Sequence, residues 1–190
     1  MFVAHLNQNR TMNYAARTHP STRLFFMTLL TLLGLNLSVQ AQDDKAARPS
    51  PPAQATATLG GKAITIDYSQ PSVNGRVVWG KLVPYGQVWR AGANETTAFA
   101  TSADLMVEGK PLPAGKYGFF VIPNQNDWTI IFNKTIKWGA FSYKPEEDVL
   151  RLTVPARKTS GPVEKLTYTI SPKGEVTLAW ADQQATFRVK

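Results

Sequence analysis

The chain has 190 residues, a formal charge of +8, no cysteine and two histidines, His5 and His19. Without a thiol it can build no disulfide, thiolate metal site, iron–sulfur cluster or Cys-His hydrolase, so a core alone must hold it together. Its charges are scattered, which favours a solvated surface over a nucleic-acid patch.

The first segment predicts export. Leu24 to Leu37 carries no charge and is shorter than the ~20 residues a spanning helix needs. Arg10, Arg17 and Arg23 precede it, and Val39-Gln40-Ala41 supplies the small residues of a signal-peptidase site, with cleavage expected after Ala41. A start at Met1 gives an unusually long charged region, and Met12 is the alternative start. Residues 1–41 are therefore read as a signal peptide and the mature chain as periplasmic or secreted, without a stable membrane anchor. The absence of cysteine removes the acceptor for a lipid. Cleavage takes both histidines and three arginines, leaving 18 Lys and Arg against 13 acidic residues, a charge of +5. No Ser-His-Asp triad and no zinc site built on histidine then remains available.

Residues 42–54 hold little that is large and apolar, and their Pro and Ala content reads as a flexible leader. Residues 55–190 read as one domain. Strands are predicted over Ala55 to Leu59 and Ala63 to Ser69, joined at Gly60-Gly61 by a tight hairpin turn.

Asp67 to Glu95 then forms a long connection punctuated by Gly and Pro. Trp79, Tyr85 and Trp89 are too large and apolar to be left in water, and loops of this length are functional or packed by their own side chains. Arg90, Asn94 and Glu95 add a planar donor, an amide and a carboxylate. Two readings stand side by side. Arg90 can clamp an acidic or hydroxyl-rich ligand while Trp79 or Trp89 stacks on a sugar face and Glu95 or Asp67 accepts hydrogen bonds. Alternatively, Arg90 pairs with Glu95 or Asp67 and pins the loop.

Thr96 to Thr101, Leu105 to Glu108, Lys116 to Ile122 and Trp128 to Asn133 read as further strands, the last two apolar on both faces and hence central. The Leu105 to Ile122 hairpin, with Tyr117, is a second candidate site, more simply explained by turns and packing. Trp138-Gly139-Ala140-Phe141 reads as a strand edge. Glu146-Glu147-Asp148 offers oxygens suited to calcium, but such a run is more often solvent-facing, and no metal site is assigned. Alternation over Leu150 to Val154, Leu166 to Ile170, Val176 to Trp180 and Ala185 to Val189 predicts four half-buried strands. Turns are expected at Pro172 to Gly174 and Ala181 to Gln184. The fold class is all-β, an antiparallel β-sandwich of about ten short strands, with a jelly roll among its forms.

The segments ITIDYSQPSVNGR, LVPYGQVWRAGANE, TSADLMVEGKPLPAGKYGFFVIP, WTIIFNK and WGAF, in order from Ala55 to Trp180, resemble the bacterial domain-of-unknown-function family numbered 2911. The resemblance implies exported, single-domain β proteins and carries no activity or site residue. The residues themselves favour a non-catalytic envelope module that needs no cofactor and binds a glycan or another envelope component through Asp67 to Glu95. The alternatives are a glycan hydrolase using Asp67 and Glu95, and a structural periplasmic protein in which Trp79, Trp89 and Arg90 are all buried.

Overall fold

A computed structural model describes residues 45–190. The expected signal peptide, its cleavage after Ala41 and both histidines lie outside the described residues. Strand β1 (Pro52–Leu59) starts three residues before the predicted Ala55 and pairs antiparallel with β2 (Lys62–Ser69) across the Gly60-Gly61 turn. Both glycines have positive φ, 55° and 83°, as a two-residue hairpin of this twist requires. Alternation along β2 turns Ile64, Ile66 and Tyr68 into the core.

After the long connection the chain returns as β3 (Ala98–Thr101), makes a small hairpin of β4 (Leu105–Val107) and β5 (Lys110–Leu112), and re-enters the main sheet as β6 (Gly115–Pro123) and β7 (Asp127–Asn133). These are central strands, as their two apolar faces predicted. Phe119 and Phe132 point into the main core, while Phe120 and Ile131, on alternate positions, are also fully buried.

The last two strands are longer than the alternation indicated. β8 (Asp148–Ile170) and β9 (Glu175–Arg188) each join two predicted strands into one. Its first half pairs β8 with β7, and its second half pairs it with β9. The turn expected at Pro172 to Gly174 forms, whereas Ala181 to Gln184 is not a turn. Those residues continue β9, with Ala181 in the left-handed conformation at φ 54°.

The seven-stranded order β1-β2-β3-β6-β7-β8-β9 is antiparallel throughout and curls on itself. Just beyond β2, the Leu166 amide donates to the Pro71 carbonyl at 3.0 Å and the Val73 amide to the Glu164 carbonyl at 2.8 Å. Curling encloses Phe99, Phe119, Phe132 and Phe187, packed mostly edge to face, and closes the antiparallel β-sandwich-like core. Among the described residues no helix is long and apolar enough to cross a membrane.

Candidate functional site

The connection between β2 and β3 lies over one end of this core. Its first part is a tight double turn in which the Val83 amide donates to Val78 at 2.9 Å and the Leu82 amide to Val77 at 3.2 Å. Gly80, at φ 78°, lets the Tyr85 ring lie against that turn, since a Cβ there would stand 2.9 Å from the ring. Further on, Trp89 exchanges both backbone hydrogen bonds with Val121 of β6, at 2.8 and 2.9 Å. Anchored at both points, Trp79 and Trp89 swing inward and join Trp128 and Trp180. Trp79 sits 4.6 Å from Trp128 and 5.8 Å from Trp89 by ring centroid, and its Nε1 donates to the Trp180 carbonyl at 3.2 Å.

The seven residues picked from the sequence therefore do not form a single site. Trp79 and Trp89 are 7% exposed and serve the core. Arg90 forms no ion pair with Glu95 or Asp67 among the described residues; its Nε is buried without a partner, and burial lowers its pKa. Asn94 donates to the Ser50 carbonyl at 3.0 Å, and Glu95 accepts from Arg48 at 2.9 Å with Lys45 at 3.8 Å. Residues 45–50 thus supply the partners of this loop.

Asp67 accepts from Gln54 at 2.6 Å, with Lys116 at 3.9 Å. Asp67 and Glu95 border one groove of about 310 Å³, each carboxylate facing cations. Partial burial alone would raise the Glu95 carboxyl. Its own backbone amide, the Arg48 hydrogen bond and the charges of Arg48 and Lys45 outweigh that and hold it below its ordinary value. A glycosidase acid needs the opposite shift.

Tyr85 stands apart, at the rim of a larger cleft of about 550 Å³ that also reaches Trp79. The opposite wall is built by irregular pairing of β8 and β9. Between Lys158↔Gln183 and Val163↔Ala181 the chain takes five steps along β8 but two along β9, and the surplus around Gly161-Pro162 bulges outward. Proline cannot donate to a ladder, so such a sequence is tolerated only where pairing lapses. The bulge leaves an apolar lining from Val78, Tyr85 and Val163 with Lys158, Glu164, Asp182 and Gln183 around it. Glu164 is engaged by the Asn74 amide at 2.9 Å.

At this wall Gln183 Oε1 is buried without a hydrogen-bond partner and Ala181 holds a positive φ, while the neighbouring Trp180 turns into the core with its Nε1 also unpaired. The other end of the Gln183 amide is tied to the Tyr85 hydroxyl at 3.2 Å. Gln183, Asp182 and Lys158 were missed from the sequence because their segments read as turn and inter-strand chain. One signal was present: the inward positions change from even numbers, ending at Trp180, to odd ones, starting at Ala185, as a bulge demands.

Elsewhere, Tyr117 of the second candidate is core, its hydroxyl donating to the Pro113 carbonyl at 2.7 Å. Asp148 and Glu147, from the acidic run, bind Asn133, Tyr143, Arg151, Thr135 and Lys144. Among the described residues, no three His, Cys, Asp or Glu side chains are grouped to hold a metal.

The structure thus defines a curled antiparallel β domain with an apolar cleft at a strand irregularity. The chain matches the family described as "Protein of unknown function (DUF2911)" over residues 50–189, and it belongs to that family. No curated protein and no solved structure matches it.

Proposed function

We propose that this protein is a non-catalytic binding module, exported to the cell envelope, whose ligand enters the cleft between Tyr85 and the β8–β9 bulge. The observation that carries the reading is the Gln183 amide, which lines the cleft with one end tied to Tyr85 and the other buried without a partner. A buried polar atom left unpaired costs about 1–3 kcal/mol, a cost that is removed when the Gln183 side chain turns its Oε1 toward a ligand in the cleft. An aromatic face beside an amide, a lysine and carboxylates suits a hydroxyl-bearing ligand with an apolar body, and a glycan is the class with that chemistry. Burial of Trp79 and Trp89 supports a structural role for those two residues and confines binding to the Tyr85 side.

A thermal-shift screen with glycans and cell-wall fragments tests this. A ligand at 100 times its Kd stabilises the fold by about 2.7 kcal/mol, a rise in Tm of roughly 8 °C. The Gln183→Leu variant keeps the volume but not the amide, and it should keep its Tm while losing most of the ligand response. A full response in that variant, or none from any compound in the parent chain, overturns the assignment.

A further inference from the structure

Six large apolar side chains are exposed among the described residues, and three of them, Ile136, Trp138 and Phe141, fall within six positions. Phe141 is 83% exposed and Trp138 52%. They belong to the segment from Lys134 to Lys144, which contains three exposed lysines, Lys134, Lys137 and Lys144, and no acidic residue.

The folding of this segment does not depend on those apolar side chains. Thr96 Oγ1 donates to the Lys137 carbonyl at 2.5 Å, and the Glu95 and Trp138 backbones pair. Thr135 is buried, and the Tyr143 ring packs 5.1 Å from Phe120 while its hydroxyl donates to Asp148 at 2.9 Å. Inward residues thus hold the loop against the β6–β7 face, and the outward aromatics are left in water on a fixed support.

Cations outnumber carboxylates around the loop, and the excess lies on the loop itself. Lys45, Arg48 and Lys116 border the groove that Ile136 also lines. The neighbouring carboxylates Glu95, Asp67, Glu147 and Asp148 face Arg48, Lys116, Lys144 and Arg151, leaving Glu146 without an ion pair. Lys134 and Lys137 have no ion-pair partner among the described residues.

We propose that the Lys134 to Lys144 loop docks the protein reversibly on a bilayer surface rich in anionic phospholipid. Trp138 and Phe141 enter the headgroup region, and Lys134 and Lys137 meet the lipid phosphates. Exposed Trp and Phe flanked by lysine match the composition of interfacial anchors, whereas the core of a protein–protein interface is depleted of lysine. Three apolar side chains with a few charges give reversible attachment. The inference stands independently of the cleft.

The absence of native cysteine permits a local probe on the full chain. Ile136→Cys, labelled with an environment-sensitive dye, reports the loop, and Lys173→Cys in the β8–β9 turn serves as control. On vesicles of equal parts phosphatidylglycerol and phosphatidylcholine the dye at position 136 should shift to the blue, and the dye at 173 should not. The shift should require about tenfold more lipid when Trp138→Ala and Phe141→Ala are added. It should also fade in about 0.5 M salt, where charge is screened within a few ångströms. Because the replaced side chains are exposed, Tm should hold within about 2 °C in every variant. No shift at 136 on anionic vesicles overturns the lipid assignment in favour of a protein partner. An equal shift at 173, or on phosphatidylcholine alone, overturns it as non-specific attachment.

Discussion

Replacing Trp79 separates the two roles that an aromatic connection can play. The side chain is 7% exposed, touches three other tryptophans at centroid distances of 4.6–6.1 Å, and donates its indole N–H to the Trp180 carbonyl. Trp79→Ala removes the indole from a site whose neighbours sit on three separate strands or loops and collapse only in part. A buried Trp→Ala change costs about 3–5 kcal/mol, and the lost hydrogen bond lies within that range. Against a total stability of about 5–15 kcal/mol this is a large share, and for a domain of this length it lowers Tm by roughly 10–15 °C. Urea unfolding followed by circular dichroism measures it, with an unchanged slope showing that the same surface is exposed. Trp79→Phe should recover about half the loss. A loss below about 1 kcal/mol would show that the indole is a platform facing solvent, and the assignment of Trp79 to the core would fail.

Other changes report on separate parts of the molecule. A methyl group at Gly118 overlaps the Thr135 carbonyl oxygen, so Gly118→Ala should lift the 134–147 segment from β6 and cost about 3 kcal/mol by urea unfolding; near-neutral stability would refute that close approach. Tyr143 is raised from its ordinary value to about 12, first by burial and then by the hydrogen bond to and charge of Asp148, partly offset by Arg151. The folded state then holds the proton more tightly than the unfolded one. Stability from this group is full below pH 10 and falls as pH rises through about 12. Tyr143→Phe should flatten that alkaline loss in denaturation midpoints, and an unaltered slope would count against the network. The Glu95 shift has the opposite sign, so its contribution is present above the ordinary carboxylate range and declines as pH falls through it. Because the pair is half-buried and still reached by water, Glu95→Gln should cost only about 0.5 kcal/mol at neutral pH; a loss several times larger would mean the Arg48 contact is shielded from water.

Most strands were legible because each carries its own period, and the Gly60-Gly61 turn and the doubly apolar β6 and β7 needed no long-range information. The continuity of β8 and β9 was not, since Pro155, Gly161 and Pro162 punctuate a sequence as loops do. Only the partner strands show that Pro155 pairs in register with β7 and that Gly161 and Pro162 fall where the β8–β9 pairing is shifted. The site suffered from the same limit. Aromatic density between Asp67 and Glu95 marked a packed connection correctly, but whether Trp79 and Trp89 face ligand or core depends on Trp128 and Trp180, far along the chain. Nor did proximity in sequence pair Arg90 with Glu95. Ala91 and Asn94 both hold positive φ, the backbone turns between them, and the cations that reach Glu95 come from positions 45 and 48.

The position of the cleft follows from the demands placed on β8. One strand serves β7 with its first half and β9 with its second, and at its far end also the segment after β2. A bulge lets a strand bend as it passes from one partner to the next, and the surplus backbone around Gly161-Pro162 is such a bulge. Closing the sheet alone does not require the partner strand to carry a left-handed alanine and two buried unpaired polar atoms within residues 180–183. Such costs usually persist in folded proteins where function holds them in place. Of these, Gln183 lines the cleft and is bonded to Tyr85 while Trp180 turns into the core, so the strained turn at Ala181 and the half-satisfied Gln183 amide are a stronger argument for binding at this cleft than its volume.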